Sequence, residues 1–391
     1  MNARALAADP AAMSLQEVLL GRRERDLLTT ADRRALAGQA VLITGAGGSV
    51  GSELARLVAE CRPARIVLLD QSEYNLFRLE RELRNDIKQG VLEPVLADVT
   101  RLSDVRQVFR TFAPDIVYHA AAYKHVTMAE RAVLGAVRTN VLGTWYVARE
   151  AAAEGARMVL VSTDKAAQPA SVMGATKRLA ELIALEVGGL RRTSVVRFGN
   201  ILGSSGSLVE LMLEHLRDGL PIELTDREAT RYFMTPREAV SLIVKADLLG
   251  NTGEIYWLDM GAPVRIVDLA ERLMIWGQSV GFPRVPIKFV GLRHGEKLRE
   301  ELTTQGLELA KTRHKRIWMA RQPAMDCGLT RRVLRALRED LRRGDALTAL
   351  ADLCAGVPEY QPSRHARNEA MGISLAQATS ATPAVSGRPQ A

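Results

Sequence analysis

Cysteine is scarce in this chain: three residues in 391, at positions 61, 327 and 354. An odd, unpatterned set rules out a disulfide framework and offers no zinc-ligand spacing. Long apolar runs are missing too. Nothing approaches the roughly 18 to 20 uninterrupted apolar residues of a membrane span. The opening MNARALAADPAAM places an acidic residue and a proline where a secretory leader needs an apolar stretch. The expected setting is cytoplasmic, without direct membrane insertion. His119, His125 and His294 lack metal-ligand spacing, so no metal is assigned.

What the chain does have is ordinary globular composition, 47% apolar and 25% charged, with a net charge of +8. An excess of basic residues would suit nucleic acid, an anionic membrane surface or an anionic metabolite. Its distribution decides. The densest cluster, RRVLRALREDLRR from Arg331 to Arg343, carries Val333, Leu334, Leu337 and Leu341 at helical spacing. Its arginines are therefore the solvated face of an amphipathic helix, and nucleic acid is not an expected partner.

Residues 1–36 read as a polar, Arg-rich arm with a short helix around Leu15 to Leu20. From 37 to 199 apolar strands alternate with helices: AVLITG then Ser49 to Cys61, RIVLLD then Ser72 to Lys88, and further strands DIVYHA, RMVLVST and SVVRFGN. This pattern predicts an α/β fold, a doubly wound parallel sheet. Residues 200–330 read as a smaller C-terminal subdomain with return segments to the sheet, including a helix near Ser207 to Arg217, the strand EIYWLDMG and a helix from Ile266 to Gly277. Helices are expected over 331–360, and a disordered Ala/Ser/Pro-rich tail over 361–391.

Directly after the first strand comes TGAGGSVGSEL, placing Gly45, Gly48 and Gly51 where a strand ends and a helix opens with Ser49 and Val50. Backbone can there approach a pyrophosphate, which rests against the N–H groups of the helix N-terminus. Asp70 closes the second strand, where a carboxylate accepts bonds from ribose hydroxyls and repels a 2′-phosphate; the expected cofactor is NAD. Asp98 could meet the adenine amino group or simply hold a turn. Val99, Ala120 and Ala121 are further candidates for the cofactor wall.

The glycine triplet, Asp70, HAAAYKHV and STDK-x(8)-GATK together resemble the extended short-chain dehydrogenase/reductase family. More narrowly they resemble the UDP-N-acetylglucosamine 4,6-dehydratases of bacterial polysaccharide biosynthesis. The likeness runs over roughly residues 38 to 325 and includes RFGNILGSSGS, TRYFMT and GLRHGEKLREEL. Large members carry an amino-terminal membrane region, so this chain reads as a soluble, shortened form.

The resemblance implies a UDP-sugar substrate, Thr163 at the sugar C4 oxygen, Asp164 as the acid at C6 and Lys165 as the base at C5. It implies that Lys177 grips the nicotinamide ribose. Where the family's tyrosine would stand, the chain has Met173, and a thioether accepts a proton only weakly. Three alternatives follow: Thr163 relays the C4 proton to a neighbour such as Lys165, a water does so, or catalysis is lost. The retained Asp164, Lys165 and Lys177 favour the relay. An adjacent Asp and Lys left as an ion pair would oppose the pKa shifts that acid and base roles need. Asn140 resembles an asparagine that orders the lysine's water contacts, with helix-to-loop packing as its alternative. Lys124, His125, Asn200, Ser207, Arg231 and Arg293 are candidates for the substrate, and Tyr123 for its border. The competing functions are a UDP-sugar 4-epimerase and a non-catalytic nucleotide-sugar or NAD-binding protein. A homo-oligomer is the expected assembly.

Overall fold

The computed structural model describes residues 14–84, 91–188, 192–250, 253–301, 309–321 and 327–372. The amino-terminal arm holds two short helices, α1 (Leu15–Leu20) and α2 (Thr30–Leu36), each opened by a capping box, Ser14 with Glu17 and Thr29 with Asp32. Leu19 is fully buried among residues of the substrate-side subdomain, and Leu36 is fully buried against the main sheet. The arm is thus part of the packed body.

Six parallel strands follow: β1 (Ala40–Thr44), β2 (Arg65–Asp70), β3 (Val91–Leu96), β4 (Ile116–His119), β5 (Arg157–Thr163) and β6 (Thr193–Phe198). They lie in the order β3-β2-β1-β4-β5-β6, which reverses direction of growth between β1 and β4. Strand Glu254–Leu258 adds in parallel beside β6, and Ile317–Arg321 and Ala310–Lys311 complete a nine-stranded sheet as antiparallel edge strands. Near-continuous apolar runs such as AVLIT and VLL are what burial on both faces demands.

The flanking helices are α3 (Ser49–Glu60), α4 (Glu73–Leu83), α5 (Leu102–Phe112), α6 (Val126–Arg131), α7 (Val133–Ala136), α8 (Thr144–Glu154) and α9 (Val172–Val187). Between α7 and α8 the chain makes a π-helical turn, Val137–Gly143. The substrate-side subdomain contributes α10 (Leu208–Arg217), α11 (Pro236–Leu248) and α12 (Ile266–Ser279). The expected boundaries hold to within a few residues where they are described; residues 85–88 of the second expected helix lie outside the described residues.

The carboxyl-terminal part corrects one expectation. Beyond α13 (Cys327–Arg343) and α14 (Ala346–Gly356), residues Arg364–Ala370 form α15 instead of disordered chain. Ser363 caps this helix and also donates to Glu130 Oε2 at 2.6 Å, while His365 and Ala366 are buried. A cap and two docked side chains suffice where composition suggests none. The part of the expected tail from 373 onward lies outside the described residues.

Candidate active site

The site lies along the carboxyl edge of the parallel strands. At the end of β1 the turn into α3 approaches β4 so closely that a Cβ on Gly45 would stand 2.6 Å from the Ala121 nitrogen, and Gly45 has φ 66°. Only glycine fits both conditions. Gly48 is the N-cap of α3 and gives it no side-chain cap, so the first N–H groups of that helix remain available to an anion.

Gly45, Gly48, Asp70, Asp98, Val99, Ala120 and Ala121 line one groove of about 270 Å³, together with Tyr123. Ser49, Val50 and Gly51 form the first turn of α3 at its end. The Asp70 carboxylate accepts from Gly47 N–H through Oδ2 and from Ser72 N–H through Oδ1, each at 2.8 Å. Each oxygen keeps a further lone pair for a ribose hydroxyl. The groove, the open helix end and the acidic strand end fit a dinucleotide. Asp98 accepts from Thr100 N–H at 2.8 Å, the turn role of its two alternatives. Ser72, Asn75 and Thr139 also line the groove and carry no sequence signal of their own.

β5 ends at Thr163, after which Asp164–Ala166 form a single 3₁₀ turn. Thr163 Oγ1 donates to Asp164 Oδ1 at 2.9 Å, and Lys165 Nζ donates to the same oxygen at 3.0 Å. Asp164 is 1% exposed, and its Oδ2 is buried with no hydrogen-bond partner. Such an orphaned acceptor marks a place for a donor that comes and goes. The ion pair left open by the sequence is formed. Burial alone would lower the Lys165 pKa, but the charges of Asp164 and Glu300 outweigh it and raise it above the ordinary lysine value. Glu300 Oε1 lies 3.3 Å from Lys165 Nζ, and its side chain is 4% exposed.

The helix that follows is pressed against this turn, since a Cβ on Gly174 would lie 2.5 Å from the Lys165 carbonyl oxygen. Its N-terminus is capped by Ser171, which accepts from Gly174 N–H, and by Glu130 Oε1, which accepts from Val172 N–H at 2.7 Å. In its first turn, Met173 is buried in an apolar cluster with Val137, Val141 and Leu142 of the π-helical turn. Lys177 reaches the strand instead, donating to Val161 O at 2.7 Å. Burial lowers its pKa to about 8 against the opposing charge of Glu181.

Asn140 is spent on packing. It accepts from Tyr123 N–H at 2.7 Å and donates to Tyr123 O and Thr176 Oγ1, so it clamps the loop after β4 to α9. His119 sits between Thr44 and Thr144 hydroxyls, and burial pushes it down to about 3, a neutral ring. Burial lowers the pKa of both Lys124 and His125.

The other substrate candidates differ in what they have free. Ser207 caps α10 without a side-chain bond, and its hydroxyl is buried and unpartnered. Ser205 N–H donates to Ser49 Oγ at 3.0 Å, tying this loop to the glycine turn. Asn200 lies in a two-residue strand paired with Phe233–Met234. Arg293 is exposed. Arg231 is buried and donates to the carbonyls of Thr230, Leu298 and Lys297, which holds the loop preceding Glu300 in place.

Two features escaped the sequence reading. Glu300 stands in GLRHGEKLREEL, where three acidic side chains compete and only the fold selects one. The second is a buried support under the Asp164–Ala166 turn: Glu181 accepts from Ser162 at 2.6 Å and from Arg197 Nε at 2.7 Å, and Arg197 also donates to Ala166 O at 3.3 Å.

Fold and strand-end geometry define a Rossmann-like chain of the short-chain dehydrogenase/reductase type. Residues 41–322 match the polysaccharide biosynthesis protein family, and the chain belongs to it. Over 291 residues it is 42% identical to the probable polysaccharide biosynthesis protein EpsC of Bacillus subtilis (strain 168), covering 73% of this chain and 48% of EpsC. The chain spans about half the length of the curated relatives it matches. Pen from Bacillus thuringiensis superposes with TM-score 0.68 at 29% identity, over 74% of this chain and 89% of Pen. The dTDP-glucose 4,6-dehydratase DesIV of Streptomyces venezuelae, a double mutant solved with NAD and DAU bound, gives 0.58 at 26% identity, over 68% of this chain and 88% of DesIV.

Proposed function

We propose that the chain is an NAD-dependent 4,6-dehydratase of a UDP-N-acetylhexosamine, UDP-N-acetylglucosamine first among them, serving polysaccharide or glycan biosynthesis. The observation that carries this reading is the contact line Thr163 to Asp164 to Lys165, with Asp164 Oδ2 buried and unpartnered. A 4-epimerase has no use for an acid and a base at C6 and C5. Family membership and the likeness to DesIV support a sugar-nucleotide substrate.

When bound, the nicotinamide supplies the hydride chemistry, taking hydride from C4 and returning it to C6. Lys177 is the residue we assign to its ribose. The chain's own residues manage the protons. Thr163 Oγ1 accepts the C4 hydroxyl proton while passing its own to Asp164 Oδ1, so the relay runs to the aspartate rather than to the lysine. Asp164 is then the acid that the departing C6 hydroxyl requires. Lys165, once neutral, takes the C5 proton, and the electron pair of that bond forms C5=C6 as the C6–O bond breaks. It later protonates C5 from its ammonium, whose hydrogens exchange with solvent. Position 173 is not needed for proton transfer and can be given over to packing. Lys124, His125, Asn200, Ser207 and Arg293 are the groups we assign to the sugar nucleotide, with Arg231 shaping the loop beside them.

Mass spectrometry after incubation with UDP-N-acetylglucosamine tests the reading. A product lighter by one water is expected; an isomer of equal mass would indicate an epimerase, and unchanged substrate a binding protein.

A further inference from the structure

The proton count of the site is incomplete with Asp164 and Lys165 alone, and this inference rests on the dehydratase reading above. In the resting geometry Lys165 is an ammonium between two carboxylates, Asp164 at 3.0 Å and Glu300 at 3.3 Å. The three groups together hold one transferable proton. Oxidation at C4 delivers a second. Elimination then needs Asp164 protonated and Lys165 neutral, which accommodates only one of the two.

Among the described residues, Glu300 is the remaining carboxylate in contact with Lys165. Its side chain is 4% exposed, against 21% for Lys165, so a proton placed on it is shielded from solvent. Among the described residues, the charged groups facing Lys165 are Asp164, Glu300 and Arg231, and Arg231 Nε lies 3.7 Å from the same Glu300 oxygen. Arg231 is itself fixed by three backbone carbonyls, which sets the position of the loop carrying Glu300.

We propose that Glu300 takes the proton that Lys165 must shed before it can act at C5, and returns it when the cycle ends. In the forward step the Lys165 ammonium loses a proton to the Glu300 carboxylate, leaving a neutral amine and a neutral acid. Lys165 then removes the C5 proton as Asp164 protonates the leaving C6 hydroxyl. After Lys165 has delivered a proton to C5 from its exchangeable ammonium, it recovers the one stored on Glu300, and Asp164, Lys165 and Glu300 regain their starting states. Glu300 touches no reacting carbon; it acts through Lys165 and is a positioning residue in that sense.

Glu300→Gln keeps the shape and removes the acceptor, with Glu300→Asp as the conservative partner. At neutral pH Glu300→Gln should lose about 10²-fold in dehydration while still reducing the bound nicotinamide, and its rate should climb with pH as solvent base strips Lys165. Glu300→Asp should restore part of the rate and the flatter profile. A uniform loss at every pH, with no accumulation of reduced cofactor, would mean a structural role and overturn the proposal. A second arm needs no turnover: amine labelling of Lys165 across pH, read by peptide mass spectrometry. Loss of the facing carboxylate should move the labelling midpoint down by about one pH unit. An unmoved midpoint overturns the coupling even if the unmodified protein dehydrates its substrate; a moved midpoint in a protein that leaves UDP-N-acetylglucosamine unchanged upholds the coupling and instead removes the dehydratase reading.

Discussion

Two strand-turn-helix units, β1 to α3 and β5 to α9, stand at the same edge of one sheet and do opposite things. The first is stripped of side chains: glycines let backbone approach, and α3 begins without a side-chain cap. The second is filled with them. Ser171 and Glu130 occupy the N-terminus of α9, and Thr163, Asp164 and Lys165 fill the turn. An open helix end suits a ligand held by dipole and N–H groups, whereas a closed one frees its turn for proton chemistry. The difference predicts where substitutions should abolish turnover and where they should only empty the cofactor groove.

The largest effect belongs to the β5 unit. Asp164→Asn retains shape without the acid and should cost about 10²- to 10⁴-fold in turnover, with NAD content unchanged by native mass spectrometry; near-normal turnover would remove Asp164 from the mechanism. In the β1 unit, Gly45→Val places a branched side chain at φ 66° against Ala121. The purified variant should fold yet lack nicotinamide, and normal cofactor content would show that the close approach is not required.

Smaller effects sharpen the contrast within the β5 to α9 unit. Thr163→Val removes the relay hydroxyl at nearly constant volume and should slow dehydration by about tenfold or more. Met173→Ala should keep most turnover per folded molecule but destabilise the fold by about 2–5 kcal/mol, the usual cost of truncating a buried methionine. Thermal melts and steady-state rates on both variants distinguish the roles, and a Met173→Ala enzyme that is stable but inactive would reverse them. The mildest change is Asp70→Ser, which should improve relative tolerance of NADP; recovery of NADP with the unmodified protein would contradict the ribose assignment.

Much of this contrast can be read along the chain. Buried parallel strands announce themselves as apolar runs, and a glycine triplet between strand and helix needs no distant partner to be interpreted. Thr163-Asp164-Lys165 was legible for the same reason, being contiguous. What stayed hidden depends on contacts between segments far apart. Glu300 gains meaning only when its loop folds onto Lys165, and Asn140 turns out to spend its amide on Tyr123 and Thr176. The α15 helix was missed because its sequence is poor in apolar residues, while its anchorage comes from Glu130, a residue whose other oxygen caps α9. The state of Lys165 was open in the sequence because adjacency alone does not say whether burial or pairing wins; two facing carboxylates decide for pairing.

The most direct measurement of the central claim is the reaction run in heavy water with UDP-N-acetylglucosamine and followed by mass spectrometry and NMR. If Asp164 and Lys165 serve C6 and C5 while hydride is returned internally, the product lacks one water and carries one solvent deuterium at C5 and none at C6. Solvent deuterium at C6, or an isomer of unchanged mass, would contradict the account.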